Sequence, residues 1–129
     1  MNGKVVAVQR SSTSDSYISD NYNGIAIIKR YASQDDAYLD MHSGRVDLLL
    51  ADAFSLEDGF LSKDGGENFE FVGENLSNPK WFGEGSGIAL RKQDKKLLMQ
   101  LNEAISQIRY SGEYKKIQDK YFDFNIYGD

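Results

Sequence analysis

Apolar residues in this chain come in short blocks whose period changes, and the changes mark the elements. Lys4 to Val8, with a continuous apolar run from Val5 to Val8, predicts a short strand of the kind buried on both faces. Ser11-Ser12-Thr13-Ser14 follows it, and Ser14 to Tyr22 can then complete about two helical turns before Gly24 breaks them. Ile25 to Ile28 predicts a second buried strand. Ser33-Gln34-Asp35-Asp36 has the form of a capping box, Ser33 reaching the amide three residues on and Asp36 reaching back. The helix it opens should run to about His42, with Ala37, Tyr38 and Met41 on one face and Gly44 as terminator. Val46 to Ala51 is the third and most apolar strand, ending at Asp52. Ala53 to Leu61 predicts a helix, and Phe69 to Val72 a short alternating strand. Strand alternating with helix indicates an α/β fold: a mainly parallel sheet with helices on both faces, in three layers.

After Pro79 the pattern changes. Trp81 to Gly87 is a glycine-rich connector, and Ile88-Ala89-Leu90 reads as a strand. Leu97, Leu98, Leu101, Ala104, Ile105 and Ile108 recur at three and four, which predicts an amphipathic helix ending near Gly112. Tyr114, Ile117 and Tyr121 continue that spacing in a second helix. The stretch Tyr121 to Tyr127 is unusually apolar for a chain end.

The composition narrows the function. A formal net charge of -5 argues against nucleic acid as a partner, which calls for a basic face. The absence of cysteine removes disulfides, thiolate metal sites and cysteine nucleophiles together. The opening MNGKVVAV lacks the long apolar stretch of a signal peptide, and no run reaches transmembrane length. His42, the single histidine, has no carboxylate cluster at metal spacing beside it and reads as an exposed helix-end residue. Gly83 to Gly87 has the glycines of a phosphate loop but precedes a strand and lacks the Lys-Ser/Thr pair, so a hinge is expected. No metal, cofactor or nucleophile is implied.

In a parallel α/β sheet, ligands bind outside the carboxyl ends of the strands. Two polar features fall there: the hydroxyl run after the first strand and Asp52 after the third. Hydroxyls and free amides at a helix start suit a carboxylate, and Asp52 suits an ammonium, so together they would suit a zwitterion. The competing reading is that Ser12 and Asp52 are ordinary N-caps. Spacing alone leaves both open.

Three stretches change the balance. Gly44-Arg45-Val46-Asp47 through Ala51-Asp52, the connector Trp81 to Lys92, and the end Ser111 to Ile117 with Lys120 to Asp129 resemble the solute-binding proteins of polar amino-acid ABC importers. The lysine/arginine/ornithine- and histidine-binding branch is the particular likeness. The resemblance implies a periplasmic-binding-protein-like (type II) fold, in which two lobes joined by two crossing strands clamp a free amino acid. It implies a periplasmic location, no enzymatic activity, and the membrane subunits of an ABC transporter as partners. Residues 3–84 would be the second ligand-binding lobe. Residues 85–129 would be a return segment, a strand and two helices, belonging to a first lobe whose main part lies outside this chain.

By position, the resemblance places Thr13 where the family uses a backbone amide for the ligand carboxylate, with Ser12 beside it. Asp52 falls where an aspartate takes the α-ammonium, and Gln9 and Ser14 complete the expected ligand-binding set. Close relatives carry Leu-Gln-Gly where this chain has Gln9-Arg10-Ser11, and Gln at the position of Ser14. Those departures leave the side-chain specificity open. Dehydratases share the fold and supply an enzyme alternative; a non-binding interaction remnant is the third. The stripe on the long helix, without its usual partners, predicts a homodimer through residues 88–129, formed by exchange across the hinge at 83–87.

Overall fold

The structure, a computed structural model, describes residues 1–83, 85–122 and 125–127. They fall into two compact units, Met1–Glu84 and Gly85–Asp129. In the first, β1 (Val5–Gln9) is the middle strand of a three-stranded parallel sheet, with β2 (Ile27–Tyr31) and β3 (Leu48–Leu49) on either side. Side chains alternate across a strand, so the apolar run of β1 is shared between two cores. Val6 and Val8 meet Ile18 of α1 (Thr13–Tyr22) on one face; Ala7 meets Ala37 of α2 (Gln34–His42) on the other. All five are at most 1% exposed. Ala7 against Ala37 lets α2 lie close to the sheet, and the two helices produce the three layers.

Local chemistry sets the boundaries. The Ser33 hydroxyl accepts from the Asp36 amide at 3.2 Å, as a capping box requires. The Asp36 carboxylate, however, accepts from that hydroxyl at 2.6 Å rather than from the Ser33 amide. Gly44, at φ 69°, ends α2 as expected. The second strand starts two residues later than its apolar run. The Ile25 and Ala26 amides both donate to the Tyr22 carbonyl, closing a turn through Gly24, and so cannot join the ladder. The strand instead runs on to Tyr31, its polar members tied down by Lys29–Asp40 and Arg30–Asp15 ion pairs.

Two expected strands do not form. Phe69–Val72 and Ile88–Leu90 are irregular, with Val72 69% and Ile88 63% exposed. A strand exists only as half of a ladder, and among the described residues no strand joins the outer edges of β2 or β3. The helix expected at Ala53–Leu61 is helical throughout but changes type: α3 (Ala53–Leu56) passes into a π-helical turn, Glu57–Leu61. A 3₁₀ turn at Gly66–Asn68 follows, and α4 (Pro79–Phe82) packs on α1, where Trp81 Nε1 donates to Asp20 at 2.9 Å.

The second unit holds α5 (Lys95–Tyr110) and α6 (Glu113–Gln118), turned at Gly112 with φ 77°. The predicted stripe on α5 is present and mostly open to solvent: Leu97 is 44% and Leu98 47% exposed. Part of the apolar end finds a place in its own unit. Tyr127 stacks edge-on against Tyr114 at 5.4 Å under the Arg109 guanidinium, and the Gln118 side chain accepts from the Ile126 amide. Phe124, also expected on that surface, lies outside the described residues.

Candidate functional site

The strand order β2-β1-β3 fixes where a ligand can be read. The chain leaves β1 for β2 on one side, then crosses to β3 on the other, so the switch point lies between β1 and β3. Ala7 pairs with Leu49, and the Leu50 amide donates to the Ala7 carbonyl at 3.0 Å. Two residues further on, Gln9 ends β1 and Ala51 lies just past the end of β3, so both fall at the same edge of the sheet. The loop to α1 and the start of α3 both begin there.

The first of these is an open helix start. Ser12 is the N-cap of α1: its hydroxyl accepts from the Asp15 amide at 3.1 Å and donates to the Gln9 carbonyl at 2.8 Å. The Ser11 amide donates to Asp15 Oδ2 at 2.9 Å. That bond holds Ser11 at φ 60°, the one non-glycine at positive φ among the described residues. The left-handed conformation costs a side-chain-bearing residue about 1–2 kcal/mol. The amides of Thr13 and Ser14 are left without an acceptor among the described residues, as the first turn of a helix dictates.

Asp15 is a negative charge in the same turn, and it is answered locally. Arg30 Nε donates to its Oδ1 at 2.8 Å, and Ser19 donates to the same oxygen. Burial raises the Asp15 carboxyl, but the bonds from Ser11, Arg30 and Ser19 outweigh burial and leave it below the ordinary value. With that charge paired, two amides without an internal acceptor stand at the positive end of the α1 dipole, which favours an anion. Arg10 beside them is exposed and makes no ion pair among the described residues.

The second feature is a carboxylate. Asp52 is exposed at the N-cap of α3, its Oδ1 accepting from the Ser55 amide at 3.2 Å. The Ser55 carbonyl in turn accepts from the Tyr38 hydroxyl at 2.7 Å. Amide donors and a fixed carboxylate at adjoining strand ends can hold the two ends of a zwitterion.

The five expected site residues thus fall at two junctions at one sheet edge, Gln9, Ser12, Thr13 and Ser14 between β1 and α1 and Asp52 before α3. Gln9 closes β1 and lends its carbonyl to Ser12; Thr13 is exposed at the first position of α1. Ser14 is buried, 5% exposed, and what it leaves without an acceptor among the described residues is its amide. The cap reading of Ser12 and Asp52 is correct, since both side chains accept from the amide three residues on. His42 is exposed, as expected, but not idle: its ring lies 4.5 Å from Phe60 and 5.5 Å from Phe69. Sequence reasoning missed Tyr38, which it placed as a packing residue on the α2 face; an aromatic there gives no sign of where its hydroxyl ends. No cluster of three metal-binding side chains occurs among the described residues.

The profile of the bacterial extracellular solute-binding proteins, family 3, matches residues 1–124. The chain belongs to this family. Its members bind solutes rather than transform them, which sets aside the dehydratase alternative. Within family 3, the chain is 47% identical over 130 aligned positions to the L-arginine-binding protein of Pseudomonas aeruginosa, covering 99% of this chain and 50% of that protein. It is 38% identical to the lysine/arginine/ornithine-binding periplasmic protein of Escherichia coli, covering 100% of this chain and 50% of that one. The chain spans about half the length of the curated relatives it matches. Among solved structures, an ancestral arginine-binding protein bound to arginine superposes with a TM-score of 0.72 at 30% identity, over 94% of this chain and 51% of that one. The three-stranded parallel sheet and its helices are therefore a family 3 architecture.

Proposed function

We propose that this chain supplies one wall of the amino-acid cleft in the periplasmic binding component of an ABC importer for basic amino acids. The ligand's α-carboxylate accepts from the Thr13 and Ser14 amides, in a loop shaped by Gln9 and Ser12, and its α-ammonium is held by Asp52. The observation that carries this reading is the pairing of two unpartnered amides with an exposed carboxylate at the switch point of the sheet. Relatives named for arginine and for lysine, arginine and ornithine support the basic class. In this reading residues 3–84 are the second lobe, residues 85–129 return to the first, and the transporter's membrane subunits receive the loaded protein.

Calorimetry with L-arginine tests it. One wall of a two-sided clamp binds weakly, because a lost charge partner typically costs about 2–5 kcal/mol. A constant weaker than micromolar is expected, and Asp52→Asn should remove the heat, since an amide keeps the shape but loses the charge-assisted bond. If Asp52 were only a cap, Asn would serve as well and binding would persist. The exposed α5 stripe also supports pairing of two copies through residues 88–129. Sedimentation equilibrium should then find a dimer that Leu98→Asp dissociates; a monomer at all concentrations rules the pairing out.

A further inference from the structure

The carboxylate of Asp52 is only as well aimed as the short helix behind it. α3 has four residues and runs straight into the π-helical turn Glu57–Leu61. Such turns leave part of the backbone out of the regular ladder, and they recur at functional sites. Something other than α3 itself must fix its first turn. A side chain from another element reaches it: Tyr38 of α2, 8% exposed, whose hydroxyl donates to the Ser55 carbonyl at 2.7 Å. Ser55 is also the residue whose amide donates to Asp52 Oδ1 at 3.2 Å. The two peptide groups of Ser55 therefore connect a buried phenol to an exposed carboxylate.

The surroundings hold the phenol to that task. Its ring packs 5.1 Å from Phe60 within the π-helical turn. Gly59 leaves the space beside it: a Cβ there would stand 3.1 Å from Tyr38 Cε2 and from its hydroxyl oxygen. Burial raises the Tyr38 hydroxyl above its ordinary value, and the carboxylates of Asp35, Asp52 and Asp58 add to this against the opposing Gln34 amide, so it stays a donor. Nothing in this arrangement needs a hydroxyl for packing alone, since phenylalanine would fill the same volume.

We infer that Tyr38 is a positioning residue for Asp52: its O–H pins Ser55, and Ser55 pins the carboxylate in the rotamer that meets a ligand ammonium. The inference rests on the proposed role of Asp52, and its test separates the two. Tyr38→Phe in the full chain removes one oxygen. Three-bond couplings should change from a single Asp52 χ1 rotamer to averaged values, and the Ser55 amide should exchange faster, while resonances of Val6, Val8 and Ile18 stay in place. L-Arginine should bind roughly two- to ten-fold more weakly, the span of one neutral hydrogen bond. Gly59→Ala, which crowds the ring without removing the hydroxyl, should give a smaller change of the same kind and serves if Tyr38→Phe does not fold. Unchanged Asp52 couplings in the folded variants would overturn the inference. Averaged couplings with arginine binding equal in wild type, Tyr38→Phe and Asp52→Asn would instead leave the brace standing and overturn the ammonium assignment.

Discussion

Val8 and Leu98 are both apolar residues in regular elements, yet one is 0% exposed and the other 47%. The difference lies in what each element is given to pack against. β1 is flanked by strands on both edges and covered by α1 and α2 on both faces, so an unbroken apolar run has somewhere to go on every side. In the second unit α5 has 16 residues and α6 has 6, roughly 24 Å of helix against roughly 9 Å. The shorter helix cannot cover the stripe of the longer, however regular the spacing of that stripe is. An amphipathic pattern specifies a face to be buried; only the topology supplies the layer that buries it.

Core truncation should separate the two regions most. Ile18→Ala removes a fully buried side chain from the α1 face and should cost about 2–5 kcal/mol in urea unfolding. In the unpaired chain, at protein concentrations too low for two copies to associate, Leu98→Ala, already half exposed, should cost less than about 1 kcal/mol. A cost that rises with protein concentration is expected where pairing of two copies covers the stripe.

Acid should act next, and on the first unit. Hydrogen bonds to Asp40 from Lys29, Tyr31 and Arg45 hold its carboxyl well below the ordinary value. Asp47 is lowered in the same direction by the Val5 amide and Lys4. A depressed folded value means stability that is complete above the unfolded carboxylate range and lost as pH falls through the folded value. Urea midpoints should therefore fall between about pH 4 and about pH 2. Asp40→Asn should flatten that fall; an unchanged slope would place the acid sensitivity elsewhere.

Caps give the finest comparison. Ser33→Ala, which removes a cap bond at α2, should cost about 1 kcal/mol. Asp94 makes no side-chain cap bond at α5, so Asp94→Ala should forfeit only about 0.3 kcal/mol of dipole attraction. Thermal unfolding of the two variants ranks them.

What could be read in the sequence follows the same division. β1, α1 and α2 were legible because each is specified by neighbours in sequence: an apolar run, Ser12 and Ser33 as caps, Gly44 as stop. Phe69–Val72 and Ile88–Leu90 were misread because a strand depends on a partner that local pattern does not reveal. β2 was misplaced by two residues because Tyr22 captures the Ile25 and Ala26 amides, a turn bond that competes with the ladder. At the site, Ser12, Thr13 and Asp52 were legible as polar residues at strand ends. Tyr38 was not, because its contribution depends on a hydroxyl reaching Ser55, 17 residues away.

The central claim is that the Thr13 and Ser14 amides take a carboxylate while Asp52 takes an ammonium on the same molecule. An NMR titration of the ¹³C,¹⁵N-labelled chain with L-arginine, repeated with agmatine, its decarboxylated counterpart, tests this most directly. L-Arginine should move the Thr13 and Ser14 amides together with the Asp52 carboxyl carbon; agmatine, lacking the carboxylate, should leave both amides in place. Shifts of the two amides that are the same with either compound, or absent with both, would contradict the account.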